Sequence, residues 1–397
     1  MDETGGECVY QDKWYDVDVL FNILSRLPIE SILVCKFVCK HWRRLISCQA
    51  FIDEQLLWSR KNSIYLVYPF MDVMLELYFV KSSGEIAKTM NFPYCDNFSP
   101  ITFVCSFDGL LCCINYPWKV DLNRVVEDET DLEIRFCNHV TRKALLIPKG
   151  SPSKEKPSIG VAFGPKINEY KIFRFFSAKR ISLAKQQSRV NRGQCEVYSS
   201  STRSWSVMGR VTFCPMHPRH SCLGSTHVFV NGTIYWFIAS DEDQMIPGSI
   251  LTIDIEETFG RINLPMDVTE HSYLVDLKGC LSLVTVHDED EIMDIWILED
   301  KNEPKWELKC SDQVPLSNDE CVEFVVAREN DIFVIASKHY YIYDSDHKVW
   351  RKLDISMAFE MNFPVAFTYT ESFLSSVVAA AFAGGGRIEY ISDERSI

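Results

Sequence analysis

No stretch of this sequence is apolar for long enough to cross a bilayer; the longest late apolar run, Val377 to Ala383, is far too short. The opening Met1-Asp2-Glu3-Thr4-Gly5-Gly6-Glu7 lacks both the basic and the apolar region of a secretory signal, so no leader is expected. A broad basic surface is missing too. The 397 residues carry a formal charge of −14, which argues against nucleic acid and against an anionic membrane as partners. There is no Gly-x-Ser-x-Gly elbow, no phosphate loop and no His-Glu-x-x-His pair, and no nucleophile stands beside a positioned base. The expectation is a non-catalytic protein that needs no cofactor and no metal.

Cysteine, by contrast, is abundant. Fifteen cysteines, many inside apolar runs such as Leu110-Leu111-Cys112-Cys113-Ile114, read as reduced core residues of an intracellular chain, in cytoplasm, nucleus or both. Asn97-Phe98-Ser99 and Asn231-Gly232-Thr233 fit the glycosylation pattern but carry no meaning without secretion. With 47% apolar and 24% charged residues, the composition is that of a globular chain with a large core.

The stretch 14–61 has helical periodicity. Apolar residues at 19, 20, 23, 24 and 27 form the stripe of an amphipathic helix, with Asp16 as its cap and Asp18 in its first turn. Pro28 ends that helix and suits the opening turn of a second, carried by Ile29, Ile32, Leu33 and Val34. Val38, Trp42, Leu45 and Ile46 mark a third, and Ser47 to Trp58 a fourth capped by Ser47. Helices over so few residues cannot bury all this apolar surface among themselves. Part of the stripe must face a partner or the rest of the chain. Seven Lys/Arg and five Asp/Glu give 14–61 a charge of +2, leaving −14 − 2 = −16 on the remainder, so a basic module sits on an acidic body.

This segment resembles an F-box, the adaptor-docking motif of SCF-type ubiquitin ligases. Ile23-Leu24-Ser25-Arg26-Leu27-Pro28, Ser31-Ile32-Leu33 and Phe37 through Ile46 stand where that family has its ILsrLP, sLl and VcKxWrxLi runs. Tyr15-Asp16 stands where the family opens with Leu-Pro, which removes one apolar contact. The resemblance implies that Leu20, Ile23, Leu24, Leu27, Pro28, Ile32, Leu33, Val38, Trp42 and Leu45 bind a Skp-family adaptor, and through it a cullin.

From Ile64 onward the pattern becomes short β-branched and aromatic runs between turns. One unit is a turn pair followed by an apolar strand: Asp108-Gly109, Asn231-Gly232, Lys278-Gly279 and Asn330-Asp331. A second is a strand, a polar turn and an aromatic-bearing strand, with Trp205, Phe259, Trp306 and Trp350 in the aromatic place. A repeat of roughly 40–50 residues with about four strands is the signature of a β-propeller blade. The predicted fold class is α + β multidomain: a small N-terminal module of three to four helices followed by an all-β propeller of roughly six blades, with Pro364–Tyr369 as the strand that closes the ring. The predicted boundaries are 1–13 as a disordered N-terminus, 14–61 helical, 62–376 propeller and 377–397 as a C-terminal tail. A double-sheet sandwich is the competing architecture, disfavoured by the repetition.

The β region resembles the F-box-associated domain, the kelch-like substrate-recruiting part of proteins found largely in plants. Cys105 to Cys112, Asn138 to Lys143, Gly160 to Gly164, Asn168 to Ile172, Val197 to Trp205, Asn231 to Trp236 and Ile342-Tyr343-Asp344 carry the likeness. The implied function is substrate recognition in an SCF-type ligase, the target protein being unknown. The alternatives are an adaptor-binding scaffold outside ubiquitin transfer, or a propeller enzyme with a metal site. For the latter the strongest cluster is Cys214, His217, His220 and Cys222, but four ligands packed beside two prolines differ from the two separated pairs of structural zinc sites, and the stretch reads as a loop. Lys179, Arg180, Lys185, Arg189 and Arg192 read as a solvated basic loop, and Glu127 to Glu129 and Asp288 to Glu291 as acidic loop tips.

Overall fold

The computed structural model describes residues 17–69, 76–91, 101–115, 132–153, 157–164, 169–176, 193–211, 215, 227–240, 246–266, 268–287, 289–300, 304–317, 320–355, 364–373 and 387–390. Four helices come first: α1 (Val17–Leu24), α2 (Ile29–Cys35), α3 (Lys40–Ile46) and α4 (Gln49–Lys61). Pro28 caps α2 with φ −54°, the value its ring imposes. Cys39 caps α3, its Sγ accepting the Trp42 N–H at 3.4 Å. Cys48, not Ser47, caps α4, and that helix runs on to Lys61. The predicted cap Asp16 lies outside the described residues.

Six sheets follow. The first takes β1 (Ile64–Pro69), β2 (Glu76–Val80) and β3 (Ile86–Asn91). The second takes β4 (Ile101–Phe107), β5 (Leu110–Asn115), β6 (Glu133–Asn138) and β7 (Lys143–Leu146); the third β8 (Ser158–Phe163), β9 (Tyr170–Phe176), β10 (Gly193–Ser199) and β11 (Ser204–Val211). The fourth holds β12 (Val228–Val230), β13 (Thr233–Ala239), β14 (Pro247–Asp254) and β15 (Phe259–Asn263); the fifth β16 (Ser272–Leu277), β17 (Cys280–His287), β18 (Ile292–Leu298) and β19 (Trp306–Gln313). The sixth holds β20 (Val322–Arg328), β21 (Asp331–Ala336), β22 (Tyr340–Asp344) and β23 (Val349–Leu353). Finally β24 (Pro364–Tyr369) returns to pair with β1 in sheet one, from Ile64 against Tyr369 to Pro69 against Pro364. This is the predicted closing strand of a six-bladed propeller. The inner strands β4, β16, β20 and β24 neighbour one another around the axis, with β8 and β12 completing the ring.

The expected tail 377–397 contains one more strand. β25 (Arg387–Tyr390) pairs antiparallel with β7 and makes sheet two five-stranded. Four residues after three glycines carry too little pattern to announce a strand, and β25 is recruited by the open edge of β7.

Each sheet buries its faces against its neighbours, as the repeat requires. Ile159, Val161 and Phe163 of sheet three pack on Ile114, Ile134 and Phe136 of sheet two; Tyr235 and Phe237 of sheet four pack on Leu281 and Leu283 of sheet five. The repeated aromatic sits on the outermost strand and ties neighbours together. Trp205 Nε1 donates to Pro148 O at 2.7 Å, and Trp306 Nε1 to Asn263 O at 2.8 Å, each reaching the preceding blade. The turn pairs Asp108-Gly109, Asn231-Gly232 and Lys278-Gly279 have positive φ at both residues, the tight hairpin that matches strand twist. In blade six the turn centres on Glu329-Asn330, one residue earlier than predicted, with Arg328 paired to Asp331.

On these sheets the first-to-second and third-to-fourth strand turns share one face of the disc. The helices sit there, on blades one and two. Arg60 of α4 makes two hydrogen bonds to the Asp108 carboxylate at 2.8 and 2.6 Å, which raises its pKa, and Glu30 of α2 pairs with Lys88 of β3 at 3.3 Å. The segment after β24 runs between the two parts. Asn138 Nδ2 donates to Ser372 O at 3.0 Å, and Ser372 Oγ donates to Asp108 O. Gly109 permits this passage, since a Cβ there would lie 2.5 Å from Ser372 Oγ and 2.8 Å from its backbone N. Phe373, 1% exposed, then enters the helical core beside Leu20, Leu24, Ile29, Ile32, Ile46 and Phe51.

On the opposite face Glu320 ties blade six together. Burial pushes its carboxyl pKa up, but hydrogen bonds from Ser317 Oγ at 2.6 Å and Ser317 N at 2.9 Å, with His339 Nδ1 at 3.2 Å and Tyr341 OH at 3.1 Å, outweigh burial and hold it to about 2. That value lies below the ~4.3 of an unfolded glutamate, so the stabilisation is full above that pH and is lost as pH falls toward about 2. Glu320→Gln is expected to cost about 1–3 kcal/mol at neutral pH and to flatten that part of the acid-unfolding profile, read by thermal melts from pH 6 downward. A melt identical to the unsubstituted chain at both ends of the range counts against this role.

Candidate protein-docking surface

The helical module is small and its apolar residues outnumber what it can cover. Among the described residues the exposed large hydrophobics include Val17, Val19 and Ile23 of α1, Val34, Phe37 and Val38 around the end of α2, and Leu57 and Trp58 of α4. Among the described residues of the propeller the exposed large hydrophobics are Val207, Phe259, Met266, Leu308 and Val349, spread over blades three to six. Concentration of uncovered apolar surface on so short a segment marks an interaction site.

The ten residues expected to bind a partner divide by position. Leu20, Leu24 and Ile32 point inward, at 9%, 2% and 0% exposure, and hold the module together around Phe51 and Phe373. Leu27, Leu33, Trp42 and Leu45 are half-buried at the edge of that core. Ile23, Pro28 and Val38 are exposed, Ile23 at 56% and Val38 at 61%. Sequence reasoning did not assign Val17, Val19, Val34, Phe37, Leu57 or Trp58 to the surface. The available signal was the apolar i, i+4 pair Val19 and Ile23, which shares one helix face.

Cations rim the exposed residues. The Arg26 guanidinium lies 5.9 Å from the Trp58 ring centre and that of Arg43 5.8 Å from Phe37, distances at which the ring quadrupole attracts a cation. Lys40, Arg43 and Arg44 are exposed on α3. Lys36 instead folds over Phe373 at 4.4 Å, and burial lowers its pKa. The module thus presents exposed apolar side chains bordered by Arg26, Lys40, Arg43 and Arg44, with Asp18 and Glu30 also exposed beside them.

The opposite face of the propeller collects the second-to-third strand connections and the crossings between blades. The basic run 179–192 and Glu127 to Glu129 lie outside the described residues, and of the Cys214–Cys222 cluster only Pro215 is described, bridged to Ile238. Among the described residues no group of three His, Cys, Asp or Glu could hold a metal ion.

Comparison with known proteins agrees with this division. Residues 16–53 match the F-box domain, and residues 59–376 match the F-box associated beta propeller domain. A putative F-box/kelch-repeat protein of Arabidopsis thaliana is 25% identical over 384 residues, covering 90% of this chain and 95% of its own length. An F-box protein of the same plant is 24% identical over 399 residues, covering 91% of this chain and 96% of its own. With both domains matched in order and the propeller match spanning most of the sequence, this chain belongs to the F-box proteins that carry an F-box associated β-propeller domain.

Proposed function

We propose that this protein is the substrate-receptor subunit of an SCF-type ubiquitin ligase. The uncovered apolar face of the helices docks a Skp-family adaptor, which links the chain to a cullin. The propeller face turned away from the helices holds a target protein. This chain performs no bond chemistry in that role; it brings a target lysine near a conjugating enzyme borne by the rest of the complex, and raises its effective concentration there.

The observation that carries the reading is that Ile23, Phe37 and Val38 remain open although the helices are packed against their own propeller. Arg60–Asp108, Lys88–Glu30 and the buried Phe373 fix the helices against the disc, which suits a receptor that must hold its target at a set distance.

The test is reconstitution. The full chain, co-expressed with a plant Skp-family adaptor and a cullin, is expected to co-purify with both in equal stoichiometry. A target captured by the propeller is expected to receive ubiquitin only when all three are present. Assembly without ubiquitin transfer to any captured protein would point to a scaffold, and failure to assemble would sink the receptor reading outright.

A further inference from the structure

Among the described residues, blade two holds Cys105, Cys112, Cys113 and Cys137. Cys105 on β4 and Cys112 on β5 are directly opposed across the hairpin. Both lie on the face turned to blade three: Cys112 sits in the core with Ile134, Val161 and Tyr198, and Cys105 packs at its edge. Opposed residues of an antiparallel pair have Cα atoms about 4.5–5.5 Å apart, inside the roughly 4.4–6.8 Å that a disulfide spans. The ladder is irregular at this point. Its register shifts between Phe103 and Cys105, and such a bulge re-aims the side chains beside it.

The two thiols differ in access. Cys112 is 0% exposed, whereas Cys105 is half-buried and borders a cavity of about 160 Å³ on the propeller axis. They also differ in charge. A hydrogen bond with the Cys112 thiol lowers the pKa of Cys105; burial opposes this, and the neighbouring His227 lowers it again, to about 6. Burial, and then the same bond, push the Cys112 thiol up. The Val161 N–H donates to His227 Nε2 at 3.1 Å and holds the ring in place. At neutral pH the pair is therefore a nucleophilic thiolate with a second sulfur against it, able to resolve what the first one forms. Cys113 and Cys137 make a contrasting pair on the other face of the same sheet. Their sulfurs are 3.7 Å apart, but both residues are 2% exposed and neither lines the axial cavity.

We propose that Cys105 and Cys112 are a peroxide-oxidisable dithiol that closes to a disulfide across β4 and β5. The co-reactant is hydrogen peroxide, whose two heavy atoms fit easily within the axial cavity. The Cys105 thiolate attacks one peroxide oxygen. An S–O bond forms, the O–O bond breaks, and hydroxide leaves to take up the proton that Cys105 had released. The Cys105 sulfur has then given two electrons to the peroxide and is a sulfenic acid. Cys112 Sγ attacks that sulfur; the S–S bond forms as the S–O bond breaks, and the hydroxyl departs as water with the Cys112 proton. Two thiols and one peroxide give one disulfide and two waters. A dithiol reductant reverses the change by thiol–disulfide exchange. Adaptor docking does not use these residues, so the reaction is a separate property of the protein.

The full chain, freshly reduced, is exposed to graded hydrogen peroxide at neutral pH. Remaining thiols are capped with N-ethylmaleimide, and each cysteine is scored by peptide mass spectrometry. Cys105 and Cys112 are expected to be lost together, one for one, at about tenfold less peroxide than the exposed Cys39 and Cys48 need. Cys113 and Cys137 are expected to stay reduced, and dithiothreitol to restore the oxidised pair. Cys112→Ser is expected to leave Cys105 as a sulfenic acid that dimedone traps, and Cys105→Ser to leave Cys112 reduced. The dose series on the unsubstituted chain decides the matter even where a serine variant fails to fold. Cys105 reacting no faster than Cys39 and Cys48 overturns the proposal. So does loss of Cys105 without Cys112 at every dose, or a disulfide between Cys113 and Cys137 that closes first.

Discussion

Replacing Ile23 and Val38 together by alanine is expected to weaken capture of a Skp-family adaptor by about 100-fold or more, while the free chain melts almost unchanged. Both side chains are more than half exposed, at 56% and 61%, so the free protein loses little when they are shortened. In a complex each aliphatic side chain contributes roughly 1.5–3 kcal/mol on burial. Two together give about 3–6 kcal/mol, and every 1.4 kcal/mol is about a factor of ten in affinity. Leu24→Ala makes the contrast. That residue is 2% exposed in the helical core, and its truncation is expected to cost about 2–5 kcal/mol of folding, with a lower melting temperature as the first sign. Titration of the purified variants with adaptor, alongside thermal melts, separates the two. Wild-type affinity in the double variant places the docking surface elsewhere.

The second large effect lies inside blade three. Arg174 on β9 and Glu196 on β10 are directly opposed across the strands, with side chains 4% and 1% exposed. Arg174 Nη1 bonds Glu196 Oε1, the carboxylate also accepts the Ser151 N–H at 3.1 and 3.2 Å, and the guanidinium lies 4.8 Å from the Phe176 ring centre. Gly150 allows the approach, because a Cβ there would fall 2.2 Å from Glu196 Oε1. Arg174→Met leaves a buried carboxylate without its cation and is expected to destabilise by about 3–5 kcal/mol. Adding Glu196→Leu removes the stranded charge, so the double variant is expected to recover most of that loss. Denaturant titrations of both singles and the double measure it; additive losses would mean that the pair is not coupled.

How much of this was legible beforehand depended on the range over which the residues act. The helices could be read because Pro28 and the apolar stripe are local, and the blade repeat because Trp205, Phe259, Trp306 and Trp350 recur at the start of the outermost strands of blades three to six. Pro364–Tyr369 could be read as a closing strand, since a ring demands one. Which helical residues face out could not be read, because Phe373 takes a place in the helical core from more than three hundred positions away. The Arg174–Glu196 pair depends on a strand register, and the passage of Ser372 past Gly109 on a contact between distant segments. Such features exist only in the assembled ring.

The stretch from Pro364 to Phe373 completes two structures at once: it zips onto β1, and its last ring plugs the core beneath the docking helices. A chain still emerging from the ribosome therefore carries an open disc and a loosely packed helical module until residue 373 has been made. A copy cut short before Pro364 is left with an unpaired β1 edge and without the Phe373 ring among Leu20, Leu24, Ile32 and Phe51.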